Sequence, residues 1–191
     1  KDINRTYDAD VIRVNSQSGK GGIGYLLEQT YGYSLPAGMR ENLSYLCKSI
    51  SDHEHRELKV SDVLDIFKSN YFLHSADLII SDMNFYRTEN GVETEITFCR
   101  GGEKATLKAS GNGSLDAVSN ALKAYTGEDY TLEVYTEHSM QEQGSGSVAA
   151  AYIGLKDKYG GMSWGAGTDT DIIHAGANAL LSAFNNMKQG K

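Results

Sequence analysis

The stretch DLIISDMNFYRTENGVETEITFCRGGEKATLKASGNGSLDAVSNALKAYTG, residues 77–127, changes its hydrophobic period once, and that change decides the fold. Up to Ser110, apolar and polar side chains alternate with the period of half-buried strands. Asn90-Gly91 and Gly101-Gly102 interrupt the alternation with dipeptides that favour the positive-φ turns of hairpins. Three antiparallel strands are therefore expected in DLIISDMNFY, VETEITFC and KATLKAS. Beyond Gly111-Asn112-Gly113 the period lengthens, and SLDAVSNALKAYTG reads as a helix that ends at Gly127.

The order then repeats. YTLEVYTEHSM, VAAAYIGLKD and GMSWGAG read as three further strands, and DIIHAGANALLSAFNNM as a final helix. SGNG (110–113) before the first helix resembles WGAG (164–167) before the second, and NALKAY (120–125) resembles NALLSAF (178–184). Two βββα units are expected, about 76–127 and 128–191. Each has one apolar sheet face that a single helix must cover, so the two should share a core and pair with a second copy through what remains. Small residues along the last helix (Ala175, Gly176, Ala177, Ala179, Ala183) fit close packing on a sheet.

Residues 1–75 differ in character. DVIRV (10–14) reads as a strand. From Pro36, well placed to start a helix, Met39, Leu43, Leu46, Cys47 and Ile50 recur at helical spacing. Ser61 is the expected cap of a second helix, SDVLDIFKSNYF. The fold class is thus α+β: a small, mainly helical linker subdomain over 1–75, then a domain of two βββα repeats over 76–191, dimeric.

Composition excludes some functions. With 191 residues and a net charge of −7, the chain has an acidic surface that repels a polyanion, so nucleic acid is not an expected partner. No apolar run approaches the roughly 20 residues of a membrane span. KDINRTYDAD (1–10) lacks the profile of a signal peptide, and a cytoplasmic protein is expected. Cys47 and Cys99, far apart and in apolar contexts, are expected to be reduced, buried thiols.

GKGGIG (19–24) places Gly19, Gly21 and Gly24 at the spacing of a dinucleotide fingerprint. A second parallel strand should follow the helix after it; YGYSLPAGMRENL supplies a loop and another helix instead. A phosphate loop fails too, because Lys20 precedes Gly21 rather than Ser or Thr and position 14 is Val. The glycines read as a flexible connecting loop. DHEHRE (52–57) gathers metal-ligand types, but reads as the solvated end of a helix. Asp169-Thr170-Asp171 reads as turn and N-cap, and no nucleophile has a base at recognisable spacing. On residues alone, a stand-alone nucleotide-binding protein and a purely structural dimerisation module remain open.

NRTYDADVIRVNSQSGKGGIGYLL (4–27) resembles the segment after the catalytic barrel in long-form 2-isopropylmalate synthases, as do YGYSLPAGMRENLS and VLDIFKSNY. NGVETEITF, GNGSLDA, VYTEHSM, AAAYIGL and SWGAGTDTDII resemble, in the same order, that family's C-terminal regulatory domain. The resemblance implies a linker and leucine-sensing regulatory part of an enzyme that condenses acetyl-CoA with 2-oxoisovalerate and is inhibited by leucine. It implies that the catalytic TIM barrel with its divalent metal is not in this stretch, that no cofactor or metal is held here, and that the chain alone is inactive. A citramalate synthase-like regulatory domain, or a dimerisation module without effector, is the alternative.

The resemblance also implies roles. Tyr7, in the RTY motif, matches a tyrosine near the partner subunit's active site. L-Leucine would lie at a homodimer interface, touching the positions matching Gly113, Leu115, Asp116, Leu132, Tyr135, Ser139, Ser147, Ala149 and Ile172. The helix start around residues 114–116 would hold its carboxylate, and Leu132 and Ile172 would line the isobutyl slot, with room left by Ala149. Asp116 is either an acceptor for the ligand ammonium or a first-turn carboxylate favourable to its own helix. Ser114, where the family commonly has Pro, is a departure.

Overall fold

The computed structural model describes residues 22–74, 77–140 and 146–190. Tyr7, Gly19, Gly21 and the strand expected over 10–14 lie outside these residues. Two compact units divide between Lys68 and Ser69.

The first unit contains α1 (Gly22–Tyr31), α2 (Ala37–Glu54) and most of α3 (Val60–Tyr71). Pro36 sits at the N-cap of α2, as its fixed φ and missing N–H favour. The helix closes at His55, whose left-handed φ of 51° lets its N–H reach the Ser51 carbonyl. Met39, Leu43 and Cys47 recur on the buried face, and Tyr33 packs its ring edge-on to Phe67 with centroids 5.1 Å apart. DHEHRE is exposed at the α2 terminus, as expected.

Two expectations are corrected in this unit. Gly22 and Gly24 belong to α1 rather than to a connecting loop. Gly24 is buried, and a Cβ there would come within 2.3 Å of Arg40 Cδ, so its lack of a side chain lets α1 and α2 approach. Ser61 is not a cap, because α3 begins one residue earlier. The carboxylate of Asp62 reaches back instead, accepting from the Lys59 N–H at 2.7 Å and from Arg56 at 2.9 Å, which is the returning half of a capping box.

These donors, Lys59 first, hold the Asp62 carboxyl below its ordinary range. A group depressed in the folded state stabilises at neutral pH, and the contribution is lost as pH falls through the folded-state value. Asp62→Ala should therefore cost about 1 kcal/mol at pH 7. Thermal unfolding of variant and wild type should show that gap closing on acidification.

The second unit is two βββα repeats. In the first, β1 (Ile79–Thr88), β2 (Gly91–Arg100) and β3 (Glu103–Gly111) form an antiparallel sheet in that order, followed by α4 (Ser114–Thr126). In the second, β4 (Tyr130–Met140), β5 (Val148–Asp157) and β6 (Met162–Asp169) form the other sheet, followed by α5 (Ile172–Gln189). Helix α4 packs on β2 and β3, α5 packs on β5 and β6, and the helices touch each other. Ile96, Phe98, Val118 and Leu122 of the first repeat join Ile153, Leu155, Leu180 and Phe184 of the second in one apolar cluster. The expected α+β architecture is what the chain adopts.

The two sheets differ on their outer faces. The first is polar and solvated, with Lys108 lying between Glu93 and Glu95. Cys99 is on that sheet and only half-buried, against expectation, because its neighbour Phe98 takes the inward position. Cys47 is buried, which pushes its thiol up to about 12. In the second sheet β5 is buried on both sides, and Tyr152 reaches the His138 imidazole at 2.8 Å.

Candidate functional site

A strand places residues three apart on opposite faces, unless a bulge intervenes. Strand β4 has such an irregularity between Leu132 and Val134, opposite Leu155 and Gly154. Leu132 then pairs with Leu155, Tyr135 with Ile153, and Ser139 with Ala149, all core positions of β5. Leu132, Tyr135 and Ser139 therefore share the helix-facing side of the sheet.

Against this strand lies α4. Its buried stripe is Ala117, Val118, Ala121 and Leu122. One step around the helix, Asp116, Ser119, Asn120 and Lys123 recur at three and four residues and form a polar stripe beside it. Strand and helix flank an open cavity of about 440 Å³, lined by this stripe, by Leu115, and by Leu132, Tyr135 and Asp129 through Thr131. That size lies within the roughly 300–1,000 Å³ of small-molecule sites.

The cavity floor is fastened by Tyr130, whose hydroxyl donates to the Ser119 carbonyl at 3.2 Å and lies 3.0 Å from the Ser119 hydroxyl. Burial pushes the Tyr130 hydroxyl up to about 12. At the rim, Lys123 stands 3.5 Å from Asp129 and 4.9 Å from the Tyr130 ring centroid. Tyr135, 39 % exposed, donates its hydroxyl to Glu137; burial and then that carboxylate raise its pKa well above the usual tyrosine value. Its ring stands between the two helices, for a Cβ on Gly176 of α5 would lie 3.3 Å from the Tyr135 hydroxyl and 3.7 Å from Leu115.

The mouth ends at the start of α4. Gly113 is the N-cap residue and has no side chain to offer the first-turn amides. Asp116 accepts from the Asn112 N–H at 2.8 Å, so one of its oxygens serves the loop before the helix. The helix end thus presents N–H donors and the positive end of its dipole beside the cavity.

Four of the residues expected at the site, Leu115, Asp116, Leu132 and Tyr135, come together in this cavity. Gly113 caps the helix at its edge. Ser139 and Ala149 pair further along the same sheet face, Ile172 opens α5 with 37 % exposure, and Ser147 is exposed before β5; none of these lines the cavity. Ser119, Asn120, Lys123, Asp129, Tyr130 and Thr131 were not expected there. For Ser119, Asn120 and Lys123 the signal was the polar spacing along α4, which reads equally as a solvated face; Asp129, Tyr130 and Thr131 lie at the start of β4 and carried none.

The repeat generates a second pocket. The N-caps Gly113 and Asp171 are 58 residues apart, as are the Asn-Ala-Leu triplets starting at Asn120 and Asn178; the strand irregularities after Ile80 and Leu132 are 52 apart. At those offsets His174 and Asn178 of α5 with Ile80 and Met83 of β1 match Asp116, Asn120, Leu132 and Tyr135, and they line a smaller pocket of about 180 Å³. The difference lies at the helix end. Asp171 caps α5 with its own carboxylate, accepting from the N–H groups of Ile173 at 2.7 Å and His174 at 3.3 Å. No three His, Cys, Asp or Glu side chains among the described residues converge as a metal site.

Two βββα repeats that share one core and build a cavity jointly define a two-repeat α+β domain. Residues 57–188 match the family model of the LeuA allosteric (dimerisation) domain, and residues 1–28 match that of the alpha-isopropylmalate synthase post-catalytic domain-like region. The chain belongs to the LeuA allosteric (dimerisation) domain family. It is similar to the 2-isopropylmalate synthase of Desulfitobacterium hafniense, 44 % identical over 188 residues that cover 98 % of this chain and 33 % of that protein. The 2-isopropylmalate synthases of Helicobacter hepaticus and Agrobacterium fabrum are 37 % and 36 % identical, again over 98 % of this chain and 35 % and 34 % of theirs. The chain thus spans about a third of the length of the curated relatives it matches.

Proposed function

We propose that the cavity between α4 and β4 binds L-leucine, and that the chain is the feedback sensor of a 2-isopropylmalate synthase. The observation that carries this reading is the open end of α4 beside a cavity that holds Leu115, Leu132 and Tyr135 among polar side chains. A free amino acid needs donors for its carboxylate, acceptors for its ammonium and a slot for its side chain. The amides after Gly113 supply the first, Asp116 the second, and Leu115, Leu132 and the Tyr135 ring the third. In the repeat-related position Asp171 fills the donors with a carboxylate, which supports a carboxylate as the group for the α4 end.

In the whole enzyme a catalytic barrel carrying a divalent metal would condense acetyl-CoA with 2-oxoisovalerate, with Tyr7 reaching the partner's active site. The chain pairs as a homodimer, with leucine near the shared surface, and catalyses nothing by itself. Coupling between sensor and barrel would be of order 1–3 kcal/mol, the usual size of such linkage. Isothermal titration of this chain with leucine, isoleucine and valine tests the reading. Binding of one leucine per chain, tighter than the other two, is expected. A folded dimer that takes up no leucine would reduce the chain to a structural dimerisation module.

A further inference from the structure

Helix α5 carries three polar side chains in its buried half, Ser182, Asn185 and Asn186, and each bonds to backbone outside its own helix. The Ser182 hydroxyl donates to the carbonyl of Tyr71, at the end of α3. Asn186 Nδ2 donates to the Asn70 carbonyl at 2.8 Å and to the Trp164 carbonyl at 2.7 Å. Asn185 grips both backbone groups of Leu78, accepting from its N–H at 3.2 Å and donating to its carbonyl at 3.1 Å, as a neighbouring strand would. Positions 182, 185 and 186 share one helix face. Their burial makes these bonds costly to break, since a polar group left inside without a partner loses water as well as its bond.

The same helix touches the candidate site. Gly176 faces Tyr135 and Leu115, and Ser182 follows about 9 Å further along the axis. Between them α5 rests directly on the backbone of β6, where Gly165 and Gly167 leave no space for even a methyl group. A helix seated so closely moves as a body rather than bending locally.

We infer that Ser182, Asn185 and Asn186 are the output contacts of the sensor, passing a displacement of α5 at the cavity to the last turn of α3 and the residue before β1. The inference rests on the leucine reading above. It assigns these side chains a positioning role, separate from ligand contact.

Hydrogen exchange of this chain with and without leucine, read by mass spectrometry, tests it alongside calorimetry on wild type, Ser182→Ala and Asn186→Ala. In wild type, leucine should change exchange at peptides covering residues 70–74 and at Leu78 by about threefold or more. Both variants should bind leucine within about twofold of wild type and keep the leucine response of α4 and β4, but lose the response at 70–74 and Leu78. Ser182→Ala removes one hydroxyl with little change of shape, so it serves if Asn186→Ala fails to fold. Leucine binding with no response at 70–74 and Leu78 in wild type, or an undiminished response in the variants, overturns the coupling alone. Absence of leucine binding by folded wild type overturns both readings.

Discussion

Replacing Gly113 by aspartate is expected to leave the protein at least as stable as before and to blind it to leucine. The backbone permits the change: Gly113 has φ −148° and ψ 179°, which any residue adopts, and a Cβ there meets nothing within 4 Å. The second repeat has this arrangement, its N-cap Asp171 accepting from the α5 amides of Ile173 and His174. Aspartate in place of a glycine cap alters stability by only a few tenths of a kcal/mol, in the favourable direction. It would nevertheless occupy the donors proposed for the leucine carboxylate and set a second negative charge beside it. Loss of a charge-assisted bond of about 3 kcal/mol corresponds to roughly 100-fold weaker binding. Titration calorimetry and a melting curve, with Gly113→Ala as comparison, separate the two effects. Unchanged leucine affinity in Gly113→Asp would mean that the carboxylate does not sit at the α4 end.

The largest loss of stability is expected from the smallest addition, Gly165→Ala. The new methyl carbon would stand 2.2 Å from the Ala183 nitrogen and 2.3 Å from the Ala179 carbonyl oxygen. Both are backbone atoms of α5, so no side chain can swing aside, and the helix must lift from β6. Lifting it opens the packing of Ala175, Ala179 and Ala183, all fully buried. Overpacking of this kind costs about 3 kcal/mol or more. Gly146→Ala is the control, since a Cβ there meets nothing within 4 Å; it should stay within about 0.5 kcal/mol of wild type. Comparable melting temperatures for the two variants would show that α5 is not held at that distance.

Much of the second unit was legible in the sequence because its signals are local. Alternation bounded by Asn90-Gly91 and Gly101-Gly102 marks the first three strands, and Gly127 marks the end of α4. Asp171 could be read as a cap from its place before an apolar run. The irregularities at Ser81 and Glu133 could not, for neither contains Gly or Pro, and YTLEVYTEHSM alternates as if unbroken. Plain alternation puts Leu132 and Tyr135 on opposite faces; only pairing with Leu155 and Ile153 shows them side by side. The start of α3 escaped for a related reason. Ser61 has the preferred cap chemistry, but the bond from Lys59 to Asp62 sets the first turn one residue earlier. The cavity residues of α4 were visible as a stripe, and what distinguishes them from solvated positions is β4, contributed by the other repeat.

That exchange has a consequence for design. Helix α4 makes its cavity with β4, while α5 makes its smaller pocket with β1, so neither repeat owns a complete pocket. Half of this domain, duplicated as a symmetric pair of first repeats, would possess two identical open sites, each completed by the other copy. In the chain the two differ at the helix end: the first repeat has a glycine there, and the second an aspartate that fills its own amides.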